Sequence, residues 1–285
     1  MTDTYDPQTL KRIQRSMRDV LREFDRVCLE LGLRYVVYGG SAIGAVRHGG
    51  FIPWDDDVDI CMLREDYEKF FNEAPGLLDS RYVLIDSRTD PAYPKTFGVL
   101  GLRDSEFTPG VAHKREYRMP LGIDLFPLDR IPRTAHDFSK QSKQTWLWGR
   151  LLYLRGTPNA VLSLPRPIQL AVTTALHTIH WTLKLSRVTP RTLVRQWEQA
   201  ARRFDDDDSD LFGDFSTRDP KRWSATVAEL FPAKRVPFDG IEVMLAHDYD
   251  AILTRGYGDY MRIPPEHERE NHAASAVVFG PYAPQ

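Results

Sequence analysis

The chain has 285 residues, with 38 Lys and Arg against 40 Asp and Glu, which leaves a formal charge of −2. Hydrophobic residues at 42% and charged residues at 27% exclude global disorder, and the near-neutral balance argues against a nucleic-acid binder, which carries a basic surplus. Two cysteines, Cys28 and Cys61, build neither a disulfide framework nor a zinc finger, and the length allows one large domain or two modest ones.

Residues 1–8 are polar, without the apolar stretch of a signal peptide, so a cytoplasmic protein is expected. Thr9 reads as the N-cap of a helix whose apolar stripe runs from Leu10 through Val20 to Leu31, with Gly32 placed for a left-handed stop. Residues 35–38 form a short β-favouring run that breaks at Gly39-Gly40-Ser41, and residues 42–47 read as a short helix. Residues 58–62 predict a strand followed by a helix over 65–71; residues 82–85, 97–102 and 122–126 predict further strands. This mixture favours an α/β or α+β sheet domain over residues 1–132. After Pro132 long helical patterns are broken by Pro158, Pro165, Pro167 and Pro190, so residues 133–285 are expected to be mainly helical and packed on the sheet, with a last helix around 249–253. Residues 168–185 are the most apolar stretch, near the minimum length for a membrane span but including His177, His180 and Lys184. Their basic content is low, so core packing is expected rather than a helix lying on a membrane.

The segment richest in chemistry holds Asp55, Asp56, Asp57 and Asp59. In an extended chain alternate residues share a face, so Asp57 and Asp59 project together with Asp55 in phase. Like charges this close require a cation or protonation, and oxygen ligands suit a hard divalent ion, above all Mg²⁺. Phe51 and Trp54 before the run, and Val58, Ile60 and Met62 after it, place it at a cleft edge, unlike the solvated acidic run over 205–208. An EF-hand is excluded by Ile60 at the glycine position and Asp66 at the closing glutamate. Gly39 and Gly40 allow a tight turn with Ser41 as the next N-cap, a helix start suited to phosphate oxygens. Asp124, a single acid inside the apolar run 122–126, is the candidate third carboxylate, with an edge-strand acid facing water as the alternative. His267 and His272 are five apart, which breaks the one-face geometry of a zinc-protease helix, and Ser41 with His48 lacks a nucleophile elbow.

At these residues the sequence resembles the LicD family, which includes the fukutin-related phosphotransferases. The resemblance rests on Gly39-Gly40-Ser41, residues 44–48, residues 50–59, a second block from Asp124 to Asp129, and a third from Tyr257 to Met261 with Pro264 and Pro265. Residues 133–235 carry no matching motif. The resemblance implies an α+β nucleotidyltransferase-like fold. It implies transfer of phosphocholine or a polyol phosphate from a CDP-activated donor to a glycan or lipid-linked glycan hydroxyl, with CMP leaving. Asp57 and Asp59 then match the metal pair for Mg²⁺ or Mn²⁺, Asp124 the third acid and Gly40 with Ser41 the phosphate turn; Asp55 is a further candidate ligand. Arg47 and His48 follow that turn and are candidates for diphosphate contact, with a structural role as the alternative. Family members often carry a lysine in the strand before the second block; residues 97–102 have none, and Arg103 or Lys95 is expected to substitute. Peripheral association with the inner membrane face is compatible with a lipid-linked acceptor. The competing readings are nucleotidyl transfer from an NTP with pyrophosphate release, and a non-catalytic nucleotide- or glycan-binding scaffold.

Overall fold

A computed structural model describes residues 5–109, 117–158, 165–269, 271 and 274–285 of the chain. Asp6, rather than Thr9, caps the first helix: its carboxylate accepts from the Thr9 amide at 3.0 Å, and Pro7 takes the first position, where an N–H is not needed. This helix, α1 (Pro7–Leu31), stops at Gly32 with φ of 65°. It is followed by β1 (Val36–Val37), α2 (Gly39–His48), β2 (Asp59–Leu63), α3 (Arg64–Glu73), β3 (Tyr82–Ile85), β4 (Gly98–Leu102), β5 (Glu106–Pro109) and β6 (Gly122–Arg130). The second half holds α4 (Ala135–Gly156), α5 (Arg166–Leu185), α6 (Pro190–Ala201), β7 (Leu211–Gly213), β8 (Ser224–Thr226) and the single turn α7 (Val227–Leu230). The chain ends with β9 (Lys234–Phe238), β10 (Ile241–Leu245), α8 (Tyr249–Tyr257) and β11 (Ala274–Val278).

The fold is α+β. Its main sheet has the order β1-β2-β6-β4-β3; β2 runs parallel to β6, and the other pairs along this path are antiparallel. Strand β6 alternates in burial: Ile123 and Leu125 are buried in the core shared with α1, whereas Gly122, Asp124 and Phe126 are partly exposed on the other face. The sheet thus has a core face and an accessible face, and the acid lies on the accessible one.

Residues 133–285, expected to be mainly helical, also hold five strands among the described residues. β7 pairs with the end of β6 and with β8, β9 and β10 form a hairpin, and β11 pairs with β5. β7 and β8 have three residues each, too short to show a strand period in sequence. The core packing expected for α5 is overturned. Its only buried residue among those described is His180, whose Nδ1 lies 2.6 Å from the Leu154 carbonyl on α4, while Leu170, Trp181 and Leu185 are exposed. The helix leans on α4 by one edge instead of entering a core. No described helix is long and apolar enough to cross a membrane.

One buried acid gives the fold a pH dependence. Asp214 follows β7 and is almost fully buried; its Oδ1 accepts from the Ser216 amide and hydroxyl, while its Oδ2 has no hydrogen-bond partner among the described residues. Burial raises its carboxyl to about 6, against the Ser216 hydrogen bonds that lower it. In the unfolded chain the group titrates near 4, so its contribution to stability is complete below about pH 4 and is lost as the pH rises through 6. Asp214→Asn is expected to remove that decline and to gain about 2–3 kcal/mol over wild type at pH 7, as read from denaturant unfolding at pH 4 and 7.

Candidate active site

The site is built where β2 and β6 lie side by side. Asp59 and Asp124 are register partners across this parallel pair, and Val99 of β4 partners Asp124 on its other side. The Asp124 amide donates to the Val58 carbonyl at 2.9 Å, which extends the pairing toward Asp57. Asp56, of opposite phase, is fully buried and accepts from the Tyr5 hydroxyl at 2.6 Å. The alternation expected for the run therefore holds. The acidic segment is anchored from behind by Gln14 of α1, whose amide donates to the Asp55 carbonyl at 2.9 Å.

Helix α2 starts against these acids. Gly39 has φ of 55°, and a Cβ there would lie 3.3 Å from the Tyr257 hydroxyl and 3.5 Å from Asp59 Oδ2. A Cβ on Gly40 would lie 3.1 Å from Asp55 Oδ2. Two glycines thus let the helix start, with its positive dipole end and first N–H groups, approach the carboxylates. Ser41 is inside α2 and not its N-cap, a position taken by Tyr38. Its buried hydroxyl accepts from the Asp59 amide at 2.9 Å, so Ser41 fixes the strand to the helix.

Removal from water is the main cause that raises the Asp59 carboxyl well above the usual range; Asp57, Asp124 and Asp55 add to it, and Lys95 opposes it. The Lys95 ammonium lies 2.9 Å from both oxygens of Asp124. Such a crowd of carboxylates fits a divalent cation. Among the described residues, no three His, Cys, Asp or Glu side chains form a set able to hold a metal ion. An ion at Asp57 and Asp59 would therefore complete its shell with water and substrate phosphate oxygens, as Mg²⁺ commonly does.

Other expected contacts are not brought together. Arg47 and His48 end α2, about 10 Å from Gly40 at 1.5 Å per residue. The Arg47 guanidinium donates to the Tyr260 and Arg262 carbonyls at 2.8 and 3.2 Å, tying α2 to the C-terminal segment, and its Nε donates to His48 Nε2. These contacts favour the structural alternative. Arg103 lies beyond the far end of β4, donating to the Ser80 and Tyr82 carbonyls, four residues and about 14 Å along the strand from the Asp124 register. Lys95 takes the place considered for either cation. His272 falls outside the described residues.

Two features escaped assignment from sequence. Tyr257 stands over Gly39; burial, then Asp59, Asp55 and Asp57, raise its hydroxyl above its ordinary range. Its only sequence signal is its place in the third block. Beside it runs an arc of ring contacts: Tyr257 to Trp223 at 5.0 Å, Trp223 to Tyr38 at 5.9 Å, Tyr38 to Phe126 at 6.0 Å and Phe126 to Phe97 at 4.1 Å. These residues are far apart in the chain, so no local pattern reveals the arc.

Comparison with known proteins matches residues 32–93 to the LicD/FKTN/FKRP nucleotidyltransferase domain. This stretch contains α2, the acidic run and β2. The chain is 24% identical over 273 residues to the lipopolysaccharide cholinephosphotransferase LicD of Haemophilus influenzae, covering 93% of this chain and 96% of that protein. It is 46% identical over 52 residues to the human ribitol 5-phosphate transferase FKRP, covering 18% of this chain and 10% of that protein.

Proposed function

The chain belongs to the LicD family, and from that premise we propose that it transfers a substituted phosphate from a CDP-activated donor to a glycan hydroxyl, releasing CMP. The activities of its relatives support a phosphotransferase acting on glycans; the CDP donor, the metal and the CMP product are our own proposal. The observation that carries it is the register of Asp59 with Asp124 beside a glycine helix start. Anion-binding and cation-binding features then face one small volume, as a diphosphate requires. In our reading residues 1–132 form the catalytic core, and the region 133–285 completes it through Tyr257.

The acceptor oxygen forms a bond to the phosphorus distal to cytidine, while the bond from that phosphorus to the CMP oxygen breaks. Mg²⁺, with Mn²⁺ as the alternative, would supply positive charge to the diphosphate when held by Asp57 and Asp59. The start of α2 at Gly39 and Gly40 orients donor phosphate oxygens through its N–H groups. Asp124 accepts the proton of the attacking hydroxyl or orients it, and Lys95 holds Asp124 in position while screening phosphate charge. The aromatic arc offers a wall for the cytosine ring. A lipid-linked glycan as acceptor would place the protein peripherally at the inner membrane face.

The test is incubation with Mg²⁺, an acceptor glycan and either CDP-alcohols or NTPs, with CMP and pyrophosphate both assayed. CMP release dependent on a CDP-alcohol supports the proposal, and pyrophosphate from an NTP without CMP overturns it. Nucleotide binding with neither product, across a panel of acceptors, favours the scaffold. The role of Lys95 has its own expected result: Lys95→Met raises KM for the donor about 10–100-fold, the value of a charged hydrogen bond, while the melting temperature stays near wild type. Initial rates across donor concentrations check it; an unchanged KM would remove Lys95 from the donor site.

A further inference from the structure

From its helical pair α4 and α5, we infer that the protein docks on the surface of an anionic lipid bilayer. Ordinary surface helices present charges to water, but α5 does not. On its outward side stand Ile168, Leu170, Ile179, Trp181 and Leu185, all exposed, and Leu170 and Leu185 are 70% and 78% exposed. Between them lie Thr174, Thr178 and Thr182. Each threonine hydroxyl donates back to the carbonyl four residues earlier, at 2.9, 2.9 and 2.8 Å, so its polar atom is satisfied within the helix. Apart from Gln169, the solvent-facing surface is therefore largely apolar over a 20-residue helix whose only charged residues are Arg166 and Lys184. A helix apolar on its exposed side is unstable in water unless another apolar medium covers it.

Charge identifies the cover. Between Asp137 and Glu198 the sequence has no acidic residue and nine of the 38 basic ones, although the whole chain is slightly negative. A second copy would bring the same positive region against this one, whereas an anionic bilayer attracts it. Both exposed indoles carry a cation: Lys184 Nζ lies 5.8 Å from the Trp181 ring and the Arg150 guanidinium 5.6 Å from the Trp146 ring of α4. Tryptophan beside lysine or arginine suits the level of lipid headgroups. Because no described helix can span a membrane, α5 lies in the interface plane.

The same face adjoins the candidate site. A groove lined by Lys95, Phe97, Trp146, Arg150, Tyr153 and Arg218 runs from the Lys95–Asp124 pair to α4. A bilayer under α4 and α5 would bring a lipid-linked glycan to the mouth of that groove. This use rests on the proposed function, but the docking itself does not, and vesicle binding is measured apart from turnover.

The test is flotation of the full chain with phosphatidylcholine vesicles and with otherwise identical vesicles containing phosphatidylglycerol. Binding to the anionic vesicles that weakens with salt is expected, and Leu170→Glu with Trp181→Glu lowers it by roughly tenfold or more. Both positions are exposed, so the doubly substituted protein keeps its melting temperature. Binding no stronger than to neutral vesicles, or binding unchanged by the double substitution, would overturn the inference. So would concentration-dependent self-association that the same substitutions abolish, since a second copy would then be the cover.

Discussion

Asp57→Asn is expected to remove turnover while leaving the fold intact, with CMP release falling by about 10³-fold or more. Phosphoryl transfer requires little covalent chemistry from the protein; rate comes from positioning and from neutralised charge. Asparagine keeps the shape of Asp57 and removes its charge. The same change relieves Asp59, whose carboxyl is raised in part by Asp57, so the melting temperature should hold or rise slightly. Product release and thermal unfolding on one preparation read both effects. Undiminished turnover would show that the acidic pair is not the reaction centre.

The largest effect on stability is expected at Arg64, not at any residue of the site. This first residue of α3 donates from Nε and a terminal nitrogen to the two oxygens of Asp129 on β6, both at 2.7 Å, and both side chains are buried. Burial raises the Asp129 carboxyl, and Arg64 opposes that rise. Arg64→Met leaves the carboxylate buried without its fork of donors, which costs about 3–5 kcal/mol. For a chain of this size that lowers the melting temperature by roughly 10 °C. Adding Asp129→Leu removes the stranded charge and is expected to recover most of the loss, as read by calorimetry on the single and double variants. A single variant as stable as wild type would mean that the pair contributes nothing net. Asp129 is in the same sequence block as Asp124, yet five residues along β6 it acts in packing.

Asp55, Asp57 and Asp59 were legible because a two-residue period decides which acids share a face, and the burial of Asp56 follows the same rule. Asp124 could be singled out as a lone acid in an apolar run, but its meeting with Asp59 is a matter of strand register, which no local pattern encodes. Ser41 shows the opposite case. A serine after two glycines resembles a cap, yet α2 begins two residues earlier at Gly39, and the hydroxyl is left for the Asp59 amide. Arg47, His48 and Arg103 are near the motifs in sequence, but the rise of a helix and of a strand carries them away. Lys95 and Arg103 are both candidates in the sequence, and only folding brings Lys95 to Asp124 and Tyr257 to Gly39. For α5 the misleading signal was hydrophobicity itself, which marks burial without saying whether protein or another medium provides it.

In our proposal a divalent cation and the donor diphosphate meet at the strand ends carrying Asp57, Asp59 and Asp124. The decisive measurement is Mn²⁺ binding, followed by loss of the aqueous-ion EPR signal with and without CDP, in wild type, Asp57→Asn and Asp59→Asn. Wild type is expected to show binding that CDP strengthens, weakened at least about tenfold in each variant. Mn²⁺ bound equally by all three proteins, with no response to CDP, would contradict it.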